Sequence, residues 1–532
     1  MVRTADYVVV GAGSAGCIVA RRLADSGASV VLLEAGGSDR SRIIRKPGLV
    51  TVMHAVPQVK QRFDWGFAST PQTAAQDRRI PQVRGKVLGG SSSINGMLFV
   101  RGNRQNFDDW AADGCPGWSH ADVLPSYKRL ENWEDGPTDW RGAGGPVQVT
   151  RVKGLTPASE GFIEAFARTS GTKKVDDYNG AEQEGVGVFQ QSVYNGLRYS
   201  TSVAYLDRDR PPNLQVESGV TVSRVVIEKG RATGVEVITG RGRSVVRASR
   251  EVILSAGVYG SPQLLMLSGI GPADHLRQIG IDVRADLPVG ENLHDHLFVP
   301  ATFVTRSGRN RSTAPYFARG LVAEAMRGGT WVSRTVFEAV AFVRSSIAGT
   351  VPDVQIHALP WSYPSPNQDA PGRHPVDKRR ALTLLSTLIY PKSRGSVRLA
   401  SSDPTAAPLI DPGYLREPDD ATVLLDGLEM VRDAMNSGLV APDVVELHPG
   451  PAFADRLALA REIPNRATTV YHPVGSCRMG SDERAVVDPQ LRVRGIDGLR
   501  VADASIMPSI TGGNTNAPAM MIGERCAALM GR

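Results

Sequence analysis

The feature of the sequence that most constrains the fold is a glycine-rich stretch, GAGSAG, which begins at Gly11 directly after a short apolar run. Asp6–Val10 is rich in β-branched residues and predicts a strand, whereas Cys17–Ala24 favours a helix. In this context Gly11 permits a tight turn, Gly13 lets the backbone approach a pyrophosphate, and Gly16 lets helix and strand pack closely. Amide donors and the dipole at the helix N-terminus favour phosphate groups. The stretch therefore predicts a dinucleotide site.

A second predicted strand, Ser29–Leu33, supports this interpretation because it ends at Glu34. A carboxylate at that position can accept hydrogen bonds from both ribose hydroxyls of a dinucleotide. A flavin enzyme served by NAD(P)H usually needs two such fingerprints, and the chain has one GxGxxG placed after a strand. These residues alone therefore leave two possibilities open, a site for NAD(P) and a site for FAD.

Length, charge and cysteine usage exclude several classes of protein. A chain of 532 residues with 41% apolar content is long enough for two packed domains and is neither disordered nor fibrous. The formal charge is only +7 and no run of Lys or Arg stands out, so we expect no nucleic-acid partner. No apolar stretch reaches the length of about 18 residues that a transmembrane segment needs. We expect a cytoplasmic protein without a metal site, because no CxxC pair occurs among the four dispersed cysteines, Cys17, Cys115, Cys477 and Cys526.

A second stretch crowded with small residues, GKVLGGSSSINGMLFVRG, occupies Gly85–Gly102. Small residues let the backbone come close to a planar ligand and its phosphates. Extended to Asp108, this stretch resembles the first sequence pattern of the glucose-methanol-choline (GMC) family of FAD-dependent oxidoreductases. SAGVYGSPQLLMLSGIG (Ser255–Gly271) resembles the second family pattern, with Val258 where a smaller residue is usual.

The resemblance continues along nearly the whole chain. It includes VGENLHDH (Val289–His296), PKSRGSVRL (Pro391–Leu399), IDPGYL (Ile410–Leu415) and GLRVADASIMPSITGGNTNAPAMMIGER (Gly498–Arg525). The overall pattern is most similar to that of bacterial alcohol, sorbose and choline dehydrogenase-like members. The resemblance implies that the dinucleotide is FAD.

The resemblance also implies which residues hold FAD. The first motif and the end of the second strand would bind the ADP half, the glycine–serine loop would underlie the flavin, and the C-terminal motif would approach the pyrophosphate and ribityl chain. These residues are Gly11, Gly13, Ser14, Ala15, Gly16, Glu34, Ala35, Val87, Gly90, Ser92, Asn95, Gly96, Met97, Leu98, Val222, Asp503, Ala504, Asn514 and Thr515. Some relatives tether FAD through a histidine just before the loop asparagine; here that position is Ile94, so we expect noncovalent FAD.

Alcohol oxidation needs a group that takes the hydroxyl proton while a hydride leaves carbon for flavin N5, and a neutral imidazole suits this task. In the family the base is a histidine in an HPxGTxxMG-like loop, and its partner opens an NxN or HxQ triplet. TTVYHPVGSCRMG (Thr468–Gly480) and the later NTN place His472 and Asn514 at these positions, with Ser476 for the usual threonine. We expect Asn514 to hydrogen-bond the same oxygen, and the helix that follows, Ala517–Met530, to point its N-terminus at the flavin.

The order of the motifs predicts the fold. We expect an α/β chain, α+β overall, with a Rossmann-like FAD-binding domain and a substrate-binding domain built on a mostly antiparallel sheet with helices. Because the motifs lie near both ends and in the middle of the chain, the FAD-binding domain should be discontinuous, comprising residues 1–154, 196–297 and 462–532. The substrate-binding domain should comprise residues 155–195 and 298–461.

Three further features allow a structural and a functional interpretation. The HDH triplet, His294–His296, offers two possible metal ligands, but no third ligand is near, so a structural role at the domain junction is favoured. The strand Asp353–Pro360 is interpreted as an ordinary half-buried strand rather than as a substrate contact. The aromatic residues Trp65, Phe337 and Trp361 are interpreted as core.

The most specific functional prediction is FAD-dependent oxidation of an alcohol to an aldehyde or ketone, by a dehydrogenase or oxidase of class EC 1.1. The residues name neither the small-molecule alcohol nor the electron acceptor, which could be oxygen, a quinone or a cytochrome. Two alternatives belong to other classes: an FAD-containing lyase of the same family with a structural flavin, and a noncatalytic dinucleotide-binding module.

Overall fold

Two seven-stranded sheets organise the described chain, residues 3–306, 313–362 and 377–531 of a computed structural model. In the first sheet, the spatial order of six strands is Leu214–Ser218, Val30–Glu34, Arg3–Val10, Gly242–Leu254, Arg231–Thr239 and Thr221–Glu228, and Leu499–Val501 also pairs with Gly242–Leu254. The pairings among the first four strands are parallel, and the last two pairings are antiparallel. The valine-rich run Val30–Glu34 is buried throughout, as expected for a parallel strand covered on both faces.

The second sheet is antiparallel in all the pairings that the described residues make. Its spatial order is Val444–His448, Leu297–Thr305, Ala381–Leu388, Val354–Leu359, Ala339–Val343 and Gly185–Val188, with Thr468–Thr469 also paired to Leu297–Thr305. Helices Pro157–Ser170 and Pro418–Asn436 pack on one face of this sheet. The predicted α/β class, with a Rossmann-like part and an antiparallel second sheet, is confirmed.

The strand predicted at Asp353–Pro360 differs from its expected environment. Val354–Leu359 lies between two other strands, and all six of its residues are buried. One face packs against the helices, and the other forms part of a cavity wall through His357 and Leu359. The weak alternation of polarity therefore did not mark a solvent-exposed face, because His357 lines the cavity and Gln355 is buried against Asn514.

The remaining elements connect and cover the two sheets. The helices are Gly16–Asp25, Arg42–Arg45, Val50–Ala55, Pro57–Phe63, Arg104–Ala112, His120–Leu130, Pro157–Ser170, Thr201–Tyr205, Gly257–Leu267, Ala273–Gln278, Ala314–Arg327, Pro418–Asn436, Arg456–Arg466 and Asn516–Leu529. Short strands occur at Phe67–Ala68, Pro81–Gln82, Glu131–Trp133, Val147–Arg151, Gln190–Gln191, Val193–Tyr194, Leu197–Arg198, Ile270–Gly271, Ala285–Asp286, Ser396–Arg398 and Leu409–Asp411. Single 3₁₀ turns occur at Pro47–Leu49, Thr73–Ala75, Gly90–Ser93, Trp331–Ser333, Pro451–Phe453 and Ala504–Ile506. Within the described ranges, none of the helices combines the length and apolar character needed to cross a membrane.

The two ends of the chain pack against each other beside the first sheet. Helix Gly16–Asp25 contacts helix Asn516–Leu529, whose bounds differ by one residue from those predicted. A bidentate ion pair between Arg22 and the buried Glu524 joins these helices. The closing NTN motif is thereby held next to the first glycine turn, although the two are separated by most of the sequence. The domain limits given above stay a prediction.

Candidate active site

The first glycine turn has the close backbone approaches that its sequence predicted. Gly11 has a φ of +95°, and a Cβ there would lie 2.4 Å from the Ser255 carbonyl oxygen. A Cβ on Gly16 would lie 1.9 Å from the Gly11 carbonyl oxygen. By contrast, a Cβ on Gly13 would have its nearest neighbour at 3.8 Å, and Gly13 lines a large cavity. Gly11 and Gly16 therefore serve packing, whereas Gly13 leaves room for a ligand.

Glu34 closes the dinucleotide end of this cavity. Its Oε2 accepts a hydrogen bond from the Ala12 amide at 2.9 Å, and its Oε1 accepts one from the Gly36 amide at 2.8 Å. Burial raises the pKa of Glu34 to about 7, despite these donors. Ala35 and Val222 lie on the cavity wall nearby, as do Ser14 and Ala15 at the start of the first helix.

The glycine–serine loop meets the first turn directly. The Gly89 amide donates to the Ala12 carbonyl at 2.7 Å, and a Cβ on Gly90 would lie 2.8 Å from the Gly13 Cα. The structure brings five of the seven residues predicted from this loop to the cavity wall: Gly90, Asn95, Gly96, Met97 and Leu98.

Val87 and Ser92 lie behind that wall instead. Val87 is fully buried in an apolar cluster. Ser92 donates to the Gly89 carbonyl at 2.6 Å and accepts from the Thr201 amide at 3.0 Å. These two residues fix the shape of the loop, and the residues that follow them in sequence face the cavity.

Asp503 and Ala504 lie on the wall between the two ends of the cavity. Asp503 is buried, and burial raises the pKa of its carboxyl group. Its Oδ2 accepts from the Gly257 amide at 2.9 Å and from the Ser261 hydroxyl at 2.6 Å, and its Oδ1 accepts from the Ser505 amide. The second family pattern and the C-terminal motif are thus joined at this carboxylate, which also lies at the N-terminus of helix Gly257–Leu267.

The cavity has a volume of about 1140 Å³ and extends from Glu34 to His472. This volume exceeds that of a typical small-molecule pocket, which is roughly 300–1,000 Å³. Asn514 and Thr515 line its wall, followed by Asn516, which begins the last helix and accepts from the Ser14 hydroxyl at 2.7 Å. The N-terminus of that helix therefore faces the cavity, and its orientation toward the flavin stays a prediction.

The loop that carries His472 is anchored by a buried carboxylate. Asp295 accepts hydrogen bonds from the His472 amide at 2.8 Å, from the Thr469 hydroxyl at 2.5 Å and from the Tyr414 hydroxyl at 2.6 Å. Tyr471, just before the histidine, has a φ of +67°, so the chain reverses sharply there. The triplet HDH thus holds the loop, which agrees with the structural role that the sequence favoured.

The outer histidines of that triplet have separate partners. His294 Nδ1 lies 2.6 Å from the Asn292 carbonyl oxygen, whereas His296 Nδ1 lies 3.1 Å from His472 Nδ1. They therefore do not converge on one point as metal ligands would. His296 is a residue that sequence reasoning missed, since the triplet offered no sign of its contact with the later loop.

A chain of hydrogen bonds sets the proton positions on these imidazoles. His296 Nε2 lies 2.9 Å from the Ile389 carbonyl oxygen, which can only accept, so this nitrogen carries the proton. His296 Nδ1 must then accept, and His472 Nδ1 donates to it. A neutral His472 therefore has its lone pair on Nε2, the nitrogen that lies 3.1 Å from Asn514 Nδ2.

The buried environment keeps these imidazoles uncharged. Burial lowers the pKa of His472 well below its usual value, and the neighbouring imidazoles and the Arg84 guanidinium lower it further. Burial also lowers the pKa of His296 and that of His357 to about 3. A neutral His472 with its lone pair on Nε2 is the form that can accept a proton.

Gln355 orients the partner of His472. Its Nε2 donates to Asn514 Oδ1 at 3.2 Å, which directs the Asn514 amide nitrogen toward His472. Gln355 comes from the second sheet, and His357 lies two residues further along the same strand and lines the cavity. Their spacing of two residues predicts from the sequence that the two share a face, and His357 lies on the cavity wall on that face.

The three aromatic residues interpreted as core all line the cavity. Trp65 is 39% exposed, and Phe337 and Trp361 lie on the wall near the second sheet. Trp361 itself is largely buried, so its assignment to the core was partly right. Burial and contact with a ligand are compatible here because the cavity is interior.

Comparisons with known proteins agree with this geometry. Two sequence models described as GMC oxidoreductase match the chain, an N-terminal one over residues 5–298 and a C-terminal one over residues 391–523. An "Oxygen-dependent choline dehydrogenase" from Sinorhizobium medicae (strain WSM419) is 43% identical over 98% of this chain and 95% of that protein. A protein of the same name from Brucella melitensis biotype 1 is 40% identical over 99% of this chain and 96% of its own length.

Solved structures with similar folds are also oxidoreductases. Pyridoxine 4-oxidase from Mesorbium loti is 29% identical with a TM-score of 0.87, and the match covers 98% of each chain. A formate oxidase from Aspergillus oryzae RIB40, studied for its FAD modification, is 27% identical with a TM-score of 0.88 over 99% of this chain and 98% of that one. No relative named here is a lyase. Because the family models and these relatives cover most of its length, the chain belongs to the GMC family of FAD-dependent oxidoreductases, and it is an enzyme that oxidises alcohols.

Proposed function

We propose that the protein oxidises the CH–OH carbon of an alcohol with His472 as the base and Asn514 as the hydrogen-bond donor to the same oxygen. The observation that supports this most directly is the 3.1 Å contact between His472 Nε2 and Asn514 Nδ2 at the cavity wall. An alcohol oxygen that lies beside both nitrogens and replaces their direct contact would donate its proton to Nε2 and accept a hydrogen bond from the amide. Both side chains then act on one atom.

The residues at the other end of the cavity fit FAD. Gly13 and Gly257 line the wall, and a Cβ on Gly257 would meet no atom within 4 Å, so the wall is open where a cofactor must pass. Glu34 retains lone pairs for ribose hydroxyls, and the first and last helices direct their N-termini into the cavity. When bound there, FAD supplies the two-electron acceptor for the hydride that leaves the alcohol carbon.

The chain's own residues would handle the proton. His472 takes it on Nε2 and becomes an imidazolium while its Nδ1–H stays bonded to His296. Burial and Arg84 both disfavour that charge, so the proton leaves readily once the alkoxide has been consumed. Gln355 keeps the Asn514 amide nitrogen directed at the oxygen, where negative charge develops.

The test of this assignment is His472→Ala with an anaerobic measurement of flavin reduction by an alcohol substrate. Loss of a general base lowers such a rate by about 10²- to 10⁴-fold. FAD content should be unchanged, because His472 is only one of many residues that line the cavity. His275→Gln is a matched control, since His275 lies outside the cavity lining and accepts a hydrogen bond from the Leu399 amide that glutamine can also accept. An undiminished rate in the alanine variant with FAD bound would refute the assignment.

We further propose that FAD is held noncovalently. Ile94 lines the cavity where some relatives carry the linking histidine, and its side chain has no nucleophile. Acid precipitation should therefore release the whole flavin into the supernatant. Flavin that remains with the pellet would contradict the proposal and would direct attention to His54, which lines the cavity and has its Nε2 3.1 Å from the Ile94 carbonyl oxygen.

The names of the relatives make choline a candidate alcohol and oxygen a candidate acceptor. Peroxide detection during turnover, compared with reduction of a dye or a quinone, would identify the acceptor. We propose a cytoplasmic location on the basis of the cysteines, since all four are free and buried. Cell fractionation tests it, and recovery in the periplasm or a membrane fraction would contradict it.

A further inference from the structure

The part of the cavity in front of His472 has a distinctly apolar wall, which we call the substrate chamber. We define it by six residues that line the cavity: Phe298, Phe337, Leu359, Trp361, Leu385 and Val470. All six belong to one packed cluster or are packed against it, and so does Tyr471, which adjoins the proposed base. The chamber therefore lies next to the reacting position rather than at the dinucleotide end.

The register of the second sheet fixes this placement. Leu385 lies opposite His357, and Gln355 lies opposite Thr387 on the same pair of strands. Phe298 also lies opposite Thr387, on the next strand. Directly opposed residues share a face of a sheet, so Phe298, Leu385 and His357 lie on the face that carries Gln355, whose amide contacts Asn514. The same sheet face thus orients the catalytic asparagine and forms the chamber roof.

The charges along the cavity are unevenly distributed. Among the described residues that line it, the carboxylates are Glu34 and Asp503, and both accept hydrogen bonds from backbone amides around the dinucleotide turn and the second family pattern. Arg84, in contrast, donates from Nη2 to the Tyr471 carbonyl oxygen, one residue before His472. The chamber wall itself is therefore uncharged, and the described cavity residue that brings a charge near it is Arg84.

From this distribution we infer that the substrate is an uncharged alcohol with an apolar aromatic or branched alkyl body, and not a quaternary-ammonium alcohol such as choline. This inference rests on the proposed function of His472. Among the described residues, a cation in the chamber would lose its hydration without gaining a carboxylate partner, and it would lie near Arg84, which donates to the Tyr471 carbonyl oxygen. The rings of Phe337 and Trp361 could attract a quaternary ammonium by their faces. The described wall adds no carboxylate to that attraction, and the positive charge of Arg84 opposes it.

The apolar body of an uncharged alcohol, on the other hand, would bury apolar surface against this wall. Phe337 packs edge to face with His357, with ring centroids 5.8 Å apart, and Trp361 packs likewise with Trp331 at 5.1 Å. These contacts hold the rings in fixed orientations, so a substrate ring meets a preformed surface and little side-chain freedom is lost on binding. The shape of the chamber therefore favours substrates with apolar surface and also disfavours charged substrates.

The test uses a pair of alcohols that differ only in charge, choline and 3,3-dimethylbutan-1-ol, in which a carbon replaces the ammonium nitrogen. Anaerobic flavin reduction is followed for both with the FAD-loaded protein, and benzyl alcohol extends the series. The second-order rate constant for the uncharged analogue should exceed that for choline by about tenfold or more. Benzyl alcohol should also exceed choline. A choline rate equal to or above that of its analogue would overturn the inference while leaving the proposed function intact.

A different outcome distinguishes failure of the proposed function from failure of the inference about substrate charge. If neither these alcohols nor a wider panel of uncharged alcohols reduces the flavin, the proposed function fails, and the inference fails with it. A variant measurement sharpens the distinction: Leu359→Asp places a carboxylate on the roof of the chamber, so the ratio of the choline rate to the analogue rate should rise by about tenfold. Because the ratio is measured within one variant, partial loss of folded protein does not affect it.

A matched control for this substitution is Leu457→Asp, at a leucine that is 64% exposed on helix Arg456–Arg466. It should leave the ratio at the wild-type value, since Leu457 does not line the cavity. An unchanged ratio in a Leu359→Asp protein that binds FAD normally would mean that the roof does not discriminate between substrates by charge, and the inference would be wrong.

Discussion

The two ends of the cavity are built in different ways. At the dinucleotide end the carboxylates are held mainly by backbone amides, as when Glu34 accepts from the Ala12 and Gly36 amides. At the catalytic end the contacts join side chains that are far apart in sequence, such as His296 and His472, which are separated by 176 residues. The first arrangement tolerates little change of backbone shape, whereas the second depends on a few side chains whose loss leaves the backbone intact.

The difference predicts that substitutions at the two ends should fail differently. Damage at the dinucleotide end should prevent FAD binding, and damage at the catalytic end should leave a yellow protein that turns over slowly. Substitutions at each end of the cavity test this difference.

The largest effect is expected for Gly16→Val at the dinucleotide end. Since even a Cβ would lie 1.9 Å from the Gly11 carbonyl oxygen, the turn cannot keep its shape, and nearly all bound FAD should be lost. The ratio of flavin to protein absorbance measures this. Gly240→Ala serves as the control, because a Cβ there meets no atom within 4 Å and flavin content should not change. A Gly16→Val protein with full flavin content would show that the packing argument is wrong.

The next largest effect is expected for Asn514→Ala at the catalytic end. The variant loses the amide that we propose as donor to the substrate oxygen, so anaerobic flavin reduction should slow by about 10²-fold or more while FAD stays bound. Stopped-flow spectroscopy gives the rate and the starting flavin content together. Loss of FAD instead would contradict the independence of the two ends and would show that Asn514 supports the neighbouring cavity residues Thr515 and Asn516.

A smaller effect is expected for His296→Ala, because His296 contacts the base and not the substrate. Without an acceptor for Nδ1–H, His472 can adopt either tautomer, and the reduction rate should fall by about 10- to 100-fold. His296→Gln restores a side-chain acceptor and should recover much of the rate.

A purely structural role for His296 would give a different pattern. Both variants would then lose FAD or thermal stability together, and glutamine would not restore the rate selectively. The pH dependence of the reduction rate is a further readout, because a change in the neighbours of His472 should shift the pKa at which its lone pair becomes available.

The smallest effect on turnover is expected for Glu34→Gln, where the change should appear as pH-dependent stability of the FAD-free protein. Burial raises the pKa of Glu34 from 4.5 to about 7, so the folded state binds this proton more tightly than the unfolded state. Stability from this group is therefore present below pH 4.5 and is lost as pH rises to about 7, by up to about 3 kcal/mol.

Denaturant titration of the FAD-free wild type and variant at several pH values measures this. The wild type should lose stability between pH 5 and 7 relative to the glutamine variant, and parallel curves would contradict the raised pKa. Because the variant keeps a side chain of the same size, packing around the turn should be similar in both proteins.

The sequence was most informative where a function requires a local backbone shape. GAGSAG, the small residues of Gly85–Gly102 and the closing NTN identified the cofactor family and placed both ends of the cavity. It was least informative for Gln355 and His296, whose roles depend on partners elsewhere in the chain. Trp65, Phe337 and Trp361 show the same limit, since an aromatic residue in a core and one on an interior cavity wall have the same local pattern.

The sequence by itself therefore determined the dinucleotide turn, the α/β class and the membership of the GMC family, because each follows from short stretches whose conformation depends on their own residues. The tertiary structure alone decided the tautomer of His472, the orientation of Asn514 and the apolar chamber next to them. The physical reason is that these properties arise from hydrogen bonds, burial and charge between segments that meet only after the second sheet has closed over the first.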